Sequence, residues 1–216
     1  MNYLRLFARS ALADLADLVA PPVCAACGAT FPRRLPLCDL CREHLVAAED
    51  APPAVSVAYE HGGSLARAVH RAKYGDDPTV AASLGGLLVE TWSYDRVIDA
   101  VVPVPLHPAR LRLRGFNQSA ELSRALCRAL GAALLFDGAR RVRDTPTQTR
   151  LDRAARRRNV EDAFAASPRV RGARVLLVDD VVTTGATLAA LRAACLAAGA
   201  VEAHAVALAR APLTGA

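Results

Sequence analysis

From Val97 onward the chain alternates two kinds of apolar pattern. Short runs, "VIDAVVPVP" (97–105), "AALLF" (132–136), "ARRVR" (139–143), "VEDAF" (160–164), "ARVLLVDDV" (173–181) and "VEAHAVALAR" (201–210), read as strands. Between them, helical spacing begins near Asn117 and again near Thr187. Gly131 follows "AELSRALCRAL" and Gly199 follows "LAALRAACLAA", where a helix needs a residue that tolerates a left-handed backbone. Nearly uninterrupted apolar strands alternating with helices predict an α/β fold, a mostly parallel sheet flanked by helices. Upstream, Ser56–Tyr59 reads as a short strand, followed by helical patterns in "SLARAVHRAKYG" (64–75) and "TVAASLGGLLVETW" (79–92). "AAEDAPPAV" (47–55) is a Pro-bearing joint that separates a small module at 1–50 from a larger domain at 51–216.

At the N-terminus Leu4, Phe7, Ala11, Leu15 and Leu18 fall at helical spacing. Arg5, Arg9, Asp14 and Asp17 interrupt the apolar region that a signal peptide would need. An amphipathic helix docked on the body is expected there, with contact at a membrane interface as the alternative. Hydrophobic residues make up 53% of 216, ample for a core, yet no apolar stretch is long enough to span a bilayer. A cytoplasmic protein without a membrane span is the expectation.

Charge adds a little to this. Lys+Arg 27 against Asp+Glu 21 gives +6, modest for the length, and Lys73 is the lone lysine. Arginines gather at Arg110, Arg112 and Arg114, and again at Arg150, Arg153, Arg156, Arg157 and Arg158. Such runs serve either as a solvated helix face or as a site for phosphate or nucleic acid.

Four of the six cysteines change the picture more. Cys24, Cys27, Cys38 and Cys41 stand as C-x2-C-x10-C-x2-C. Each C-x2-C turns two thiolates toward one ion, and the intervening loop folds the pairs into a tetrahedron. Four thiolates leave no open position for a catalytic water, so a structural Zn²⁺ in a ribbon-like module is expected. His44 lies close enough in sequence to substitute as a ligand, or is a surface residue. Cys127 and Cys195 sit on apolar helical faces and read as core.

"VLLVDDVVTTGAT" (175–187) carries the strongest chemistry. An apolar strand ends in Asp179 and Asp180, and a small-residue loop then leads into a helix. Backbone N–H groups of such a loop, backed by the helix N-terminus, make a concavity for an anion. Gly185 lets the backbone approach closely, while Thr183, Thr184 and Thr187 add hydroxyl donors. Two carboxylates beside a monophosphate would repel it unless they faced hydroxyl donors, such as the 2′ and 3′ hydroxyls of a ribose 5-phosphate. Successive side chains on a strand point to opposite faces. Both acids therefore reach one sugar only beyond the strand's end; otherwise one of them braces the loop.

The same stretch resembles the 5-phosphoribosyl 1-diphosphate (PRPP) motif of type I phosphoribosyltransferases. "VPVPLHPARLRLRGFNQSAELSRAL" (102–126), "TPTQTRLDRAARRRNVEDAF" (145–164) and the tetracysteine element are similar to the ComF family of competence-associated proteins. The resemblance implies a type I phosphoribosyltransferase-like sheet, with 55–95 as its hood-like segment and 96–216 as its core. It implies that Asp179 and Asp180 contact the ribose hydroxyls, and that the loop Thr183, Thr184, Gly185, Ala186 and Thr187 holds the 5-phosphate. Pyrophosphate, with Mg²⁺ bridging it, would meet the Pro105-Leu106-His107 turn and Arg114. A mobile loop would bring Arg156, Arg157 and Asn159 over the site. Lys73 resembles a basic position near the family's site. Asn117 either caps the following helix or, with Gln118, offers an amide to a base or to the diphosphate. His107 is either a general acid or a hydrogen-bonded turn residue.

Two functions compete. One is transfer of ribose 5-phosphate to a nucleobase-like acceptor, with cations stabilising the departing pyrophosphate and a closed loop excluding water. The other is a non-catalytic or nucleic-acid-handling competence factor, assisting uptake of single-stranded DNA alongside other competence-machinery proteins. Aromatic content of 5% argues against a stacking platform for single strands. A homodimer comes with the resemblance, by analogy alone.

Overall fold

The computed structural model describes residues 22–31, 35–75, 78–92, 97–143 and 162–212. The expected N-terminal helix and the stretch carrying Arg150, Arg153, Arg156, Arg157, Arg158 and Asn159 lie outside these residues. In chain order the elements are α1 (Asp39–Arg42), β1 (Val55–Glu60), α2 (Gly63–Tyr74), α3 (Pro78–Thr91), β2 (Ala100–Pro103) and α4 (Pro108–Arg114). Then come α5 (Gln118–Leu130), β3 (Ala133–Leu134), β4 (Ala139–Arg141), β5 (Phe164–Ala166), β6 (Arg174–Val182), α6 (Ala186–Ala197) and β7 (Glu202–Arg210).

Five strands form one sheet in the order β1-β7-β6-β2-β3, and every pairing in it is parallel. The strand expected at 56–59 joins as one edge, pairing β7 from Val55↔Ala205 to Glu60↔Arg210. Two other expected strands, near 139–143 and 160–164, lie apart from this sheet. The first appears as β4; of the second's described residues only Phe164 is in a strand, which runs on to Ala166 as β5, and the two form an antiparallel pair registered Arg141↔Phe164. Arg141 lies over the Phe164 ring there, 5.5 Å from its centroid.

The central strands are apolar along the stretches where both faces are covered, Ala100–Pro103 of β2 and 175–178 of β6. Leu176 and Val178 of β6 pack with Leu65, Val69, Leu84, Leu88, Leu122 and Leu126 from α2, α3 and α5. Val175 and Leu177 pack with Leu188, Leu191 and Cys195 of α6 on the opposite face. This alternation is the period of two that a strand imposes. Gly85 brings α3 close to α5, since a Cβ at that position would lie 2.6 Å from the carbonyl oxygen of Leu122.

Topology now locates the site. After β2 the chain passes through α4 and α5 to β3 on one side, whereas after β6 it passes through α6 to β7 on the other. The connections therefore diverge at the β2/β6 boundary, and ligands of open α/β sheets bind in the crevice beyond the carboxyl ends at such a point.

Candidate functional site

Two segments meet at that crevice. β2 registers on β6 from Ala100↔Val175 to Pro103↔Val178, and the Val104 N–H extends the pairing to the Val178 carbonyl at 2.9 Å. This places the Pro105-Leu106-His107 turn beside the start of the acidic pair. His107 caps α4, its Nδ1 accepting from the Ala109 N–H at 3.4 Å, and Pro108 follows as the first helical residue. By sequence, the Arg-rich stretch ahead of the helix at Asn117 reads as a turn, and Pro108–Arg114 falls within it. The structure makes it a helix with no buried residue, closed by Gly115 in the left-handed region. Its pattern shows no buried face because Leu111 and Leu113 are both exposed.

β6 does not stop at the aspartates; it continues to Val182. Strict alternation would send the two carboxylates to opposite faces, but the alternation slips across them. Val178 and Val181, three residues apart, pack against the same cluster, while Val182 joins the other. The Asp180 N–H bonds to Asp179 Oδ1 at 3.0 Å, and the Val181 N–H bonds to Asp180 Oδ1 at 2.6 Å. Each side chain thus satisfies the next backbone donor. Both carboxylates turn toward the α2/α5 side. Asp179 Oδ1 accepts from Ser119 Oγ at the start of α5, at 3.0 Å, and Asp180 Oδ2 pairs with Lys73 Nζ of α2 at 3.0 Å.

Charge in this cluster is unbalanced, with two carboxylates facing one ammonium. Burial, and then the Asp180 charge, raise the Asp179 carboxyl from 3.8 to about 7, against the opposing pull of Lys73, the Asp180 amide and Ser119. His61, in the turn after β1, belongs to the same field. Burial and then Lys73 lower its basicity, while Asp180 opposes them.

Beyond β6 the loop turns sharply into α6. Gly185 caps the helix with φ 76, and a Cβ there would stand 2.7 Å from Pro52 Cβ in the Pro-bearing joint. Thr184 Oγ1 accepts from the Ala186 N–H at 3.4 Å. Thr183, Thr184, Ala186 and Thr187 are all half-buried. The Ala186 N–H is engaged by Thr184, and the N–H groups that follow it in the first turn, which lack intrahelical acceptors, are the ones an anion would meet. Gly185→Ala should lower stability by about 1–3 kcal/mol, through left-handed strain and the Pro52 clash. Denaturant unfolding would check this, and an unchanged midpoint would show that the joint yields freely.

Asn117 and Gln118 are engaged within the protein. Asn117 Oδ1 caps α5 through the Ser119 N–H at 3.1 Å, and its Nδ2 donates to the Val104 carbonyl at 3.0 Å. Gln118, buried, donates to the Ala72 carbonyl at 3.2 Å and accepts from Arg114 Nη1 at 2.9 Å. The Arg114 guanidinium also lies over the Tyr74 ring at 5.7 Å. "RGFNQS" therefore ties β2, α2, α5 and the acidic pair together. Sequence reasoning passed over Ser119 and His61. A serine at the start of a helix and a histidine after a strand carry no local mark of a partner so distant in sequence.

The cysteines form a second centre. Sγ atoms of Cys24, Cys27, Cys38 and Cys41 all lie within 4.8 Å of one another, the donor set for one metal ion. Burial opposes ionisation of Cys24, but the N–H groups of Cys27, Cys38 and Ala26 outweigh it and lower its thiol to about 6. Burial and the neighbouring thiols push Cys41 up to about 12. A first thiolate forms readily and a fourth only with a cation among them, so the residues fit a metal. His44 is not among the clustered donors; its Nδ1 meets the Leu40 carbonyl at 2.7 Å. The module is held to the body by Arg42 on Glu90 at 2.8 Å and by Arg71 on the Cys24 carbonyl at 2.9 Å.

Residues 115–214, which span α5, β6, the loop and α6, match the family model described as phosphoribosyl transferase domain. The chain is 34% identical over 197 residues to the DNA utilization protein YhgH of Salmonella typhimurium, covering 82% of this chain and 86% of that one. The chain belongs to the ComF family. Competence protein F of Haemophilus influenzae is 42% identical over 93 residues, 42% of this chain and 41% of its own. Among solved structures, the allosteric regulatory enzyme of purine biosynthesis matches with a TM-score of 0.41 and 24% identity, over 59% of this chain and 25% of that one. This ComF-family chain has a type I phosphoribosyltransferase fold, with a four-cysteine cluster near its N-terminus that can hold a metal. No helix among its described residues is long and apolar enough to cross a membrane.

Proposed function

We propose that this ComF-family protein binds PRPP with Mg²⁺ and transfers its phosphoribosyl group to a nucleobase-like acceptor in the cytoplasm. One observation carries the reading. Asp179 and Asp180 turn to the same side of β6 immediately before a half-buried threonine loop that opens onto a helix N-terminus. Asp179 and Asp180 accept from the ribose hydroxyls, and the amides and hydroxyls of Thr183–Thr187 hold the 5-phosphate. The Pro105-Leu106-His107 turn and Arg114 face the pyrophosphate, with Arg156, Arg157 and Asn159 contributed from outside the described residues. Mg²⁺, arriving on PRPP, neutralises charge on the leaving diphosphate. Lys73, paired with Asp180, offsets part of the charge of the acidic pair while the sugar is held. In the transfer the C1′–O bond to pyrophosphate breaks, an acceptor nitrogen bonds to C1′, and that nitrogen loses a proton to solvent.

The four cysteines hold structural Zn²⁺ in this reading, because donor count and spacing leave no open coordination position. The names of the relatives, DNA utilization protein and competence protein F, support a role in handling DNA, which this second reading takes to be single strands entering the cell. Arg112 of α4, exposed, and Arg110, half-buried, are the basic residues this second activity would use.

Mg²⁺ with PRPP at 100 times its Kd should stabilise the fold by about 2.7 kcal/mol, raising Tm by roughly 5–10 °C. Asp179→Asn with Asp180→Asn should erase that shift. An unchanged melt of the native chain at saturating PRPP rules the reading out. Pyrophosphate release across a panel of nucleobases then identifies the acceptor. Single-strand binding that weakens steeply with salt and survives the double substitution would assign DNA to a separate surface.

A further inference from the structure

Three consecutive residues in the last turn of α2 face three different parts of the molecule. Arg71 Nη1 donates to the carbonyls of Cys24 at 2.9 Å and Ala25 at 3.3 Å, inside the first cysteine knuckle. The Ala72 carbonyl accepts from the buried Gln118 amide at 3.2 Å, next to the Ser119 that holds Asp179. Lys73 Nζ reaches Asp180 Oδ2 at 3.0 Å. The turn ends at Gly75, whose N–H closes on the Arg71 carbonyl at 2.8 Å.

We propose that Arg71 is a positioning residue: by clamping the end of α2 to the metal-filled knuckle, it seats Lys73 on the acidic pair and couples metal occupancy to sugar-phosphate affinity. The inference rests on the PRPP reading above. Helix ends fray unless their last turn is held, and the backbone bond that caps this one runs to the carbonyl of Arg71 itself. Four metal–sulfur bonds would fix the knuckle, and with it the Cys24 and Ala25 carbonyls that Arg71 holds, so a filled site favours the seated turn. With the turn seated, one ammonium offsets one of two carboxylates before a polyanionic ligand arrives. With the turn frayed, that ligand meets both carboxylates uncompensated. Metal and sugar phosphate thus bind the same seated state better, and such a preference is reciprocal.

The decisive variant is Arg71→Met, which keeps the aliphatic stem and loses both carbonyl contacts. Calorimetric titration with PRPP and Mg²⁺, alongside zinc analysis of the same sample, reads it out. Zinc should remain near one per chain while PRPP affinity falls about fivefold or more, the lower edge of typical coupling between sites. Affinity at or above the native value in the zinc-loaded variant overturns the proposal and leaves the PRPP reading standing. If the variant loses its zinc or fails to fold, the native chain decides. Its zinc affinity, measured against a buffered chelator, should rise with PRPP and Mg²⁺ by a similar factor, and that rise should vanish in Asp179→Asn/Asp180→Asn. Equal zinc affinity with and without PRPP overturns the coupling. Absence of PRPP binding to the native chain sinks both the coupling and the reading beneath it.

Discussion

Cys24→Ser should release the metal and lower Tm by about 10 °C, the largest stability loss expected from a single substitution in this chain. Cys24 is fully buried and packs with Leu37, Leu65, Ala68 and Ala72, so it is both a ligand and part of the main core. Serine at this position removes a soft thiolate and adds a hydroxyl where no water reaches. Structural zinc binding in isolated fingers is worth about 10–16 kcal/mol. Here the cysteines share one core cluster with the sheet while the opposite face packs a second cluster without them, so only part of that energy reaches the global transition, on the order of 3–5 kcal/mol. That part includes the Arg42–Glu90 and Arg71 contacts. Metal analysis and calorimetry check it together, and adding a strong zinc chelator to the native chain should reproduce the shift. Full metal content with an unchanged melt in the variant would reduce the four cysteines to ordinary core residues.

Asp179→Asn should act in opposite directions on stability and on binding. The Asp179 carboxyl titrates near 3.8 when unfolded and near 7 when folded. A folded-state value above the unfolded one means that its contribution is fully present below pH 3.8. It declines as pH rises and is lost above pH 7. A shift of about three units corresponds to about 4 kcal/mol, and side-chain relaxation with water entry trims the expected gain to about 2 kcal/mol at pH 8. The substituted amide's oxygen would still accept from Ser119 while carrying no charge, so the variant should melt higher than the native chain at pH 8 and equal it near pH 4. The PRPP-dependent rise in Tm should disappear at every pH. A variant that melts lower at pH 8 would mean that the ionised carboxylate braces the fold. The stability held back at this position is what two neighbouring carboxylates facing one ammonium cost in a half-buried crevice.

The pattern along the chain was enough to place the parallel sheet, its two helical layers and the cysteine spacing, because each rests on local periodicity. Strands buried on both faces must be continuously apolar, helices with one buried face must repeat near every 3.6 residues, and two C-x2-C pairs gather donors by their own turns. Position in the fold was legible for "VLLVDDVVTTGAT" for the same reason, since strand, loop and helix are consecutive there. Tertiary structure alone decided the rest. The slip in β6 that turns both carboxylates one way comes from packing Val178, Val181 and Val182 against two different clusters. The Ser119 contact to Asp179 spans 60 residues, and Lys73, His61 and Arg71 acquire their partners only when α2 docks between the knuckle and the sheet. Likewise β4 and β5 leave the main sheet for each other, a choice of partner that a strand's own residues do not encode. Periodicity specifies which face of an element is dry; which charges then meet depends on how those faces pack.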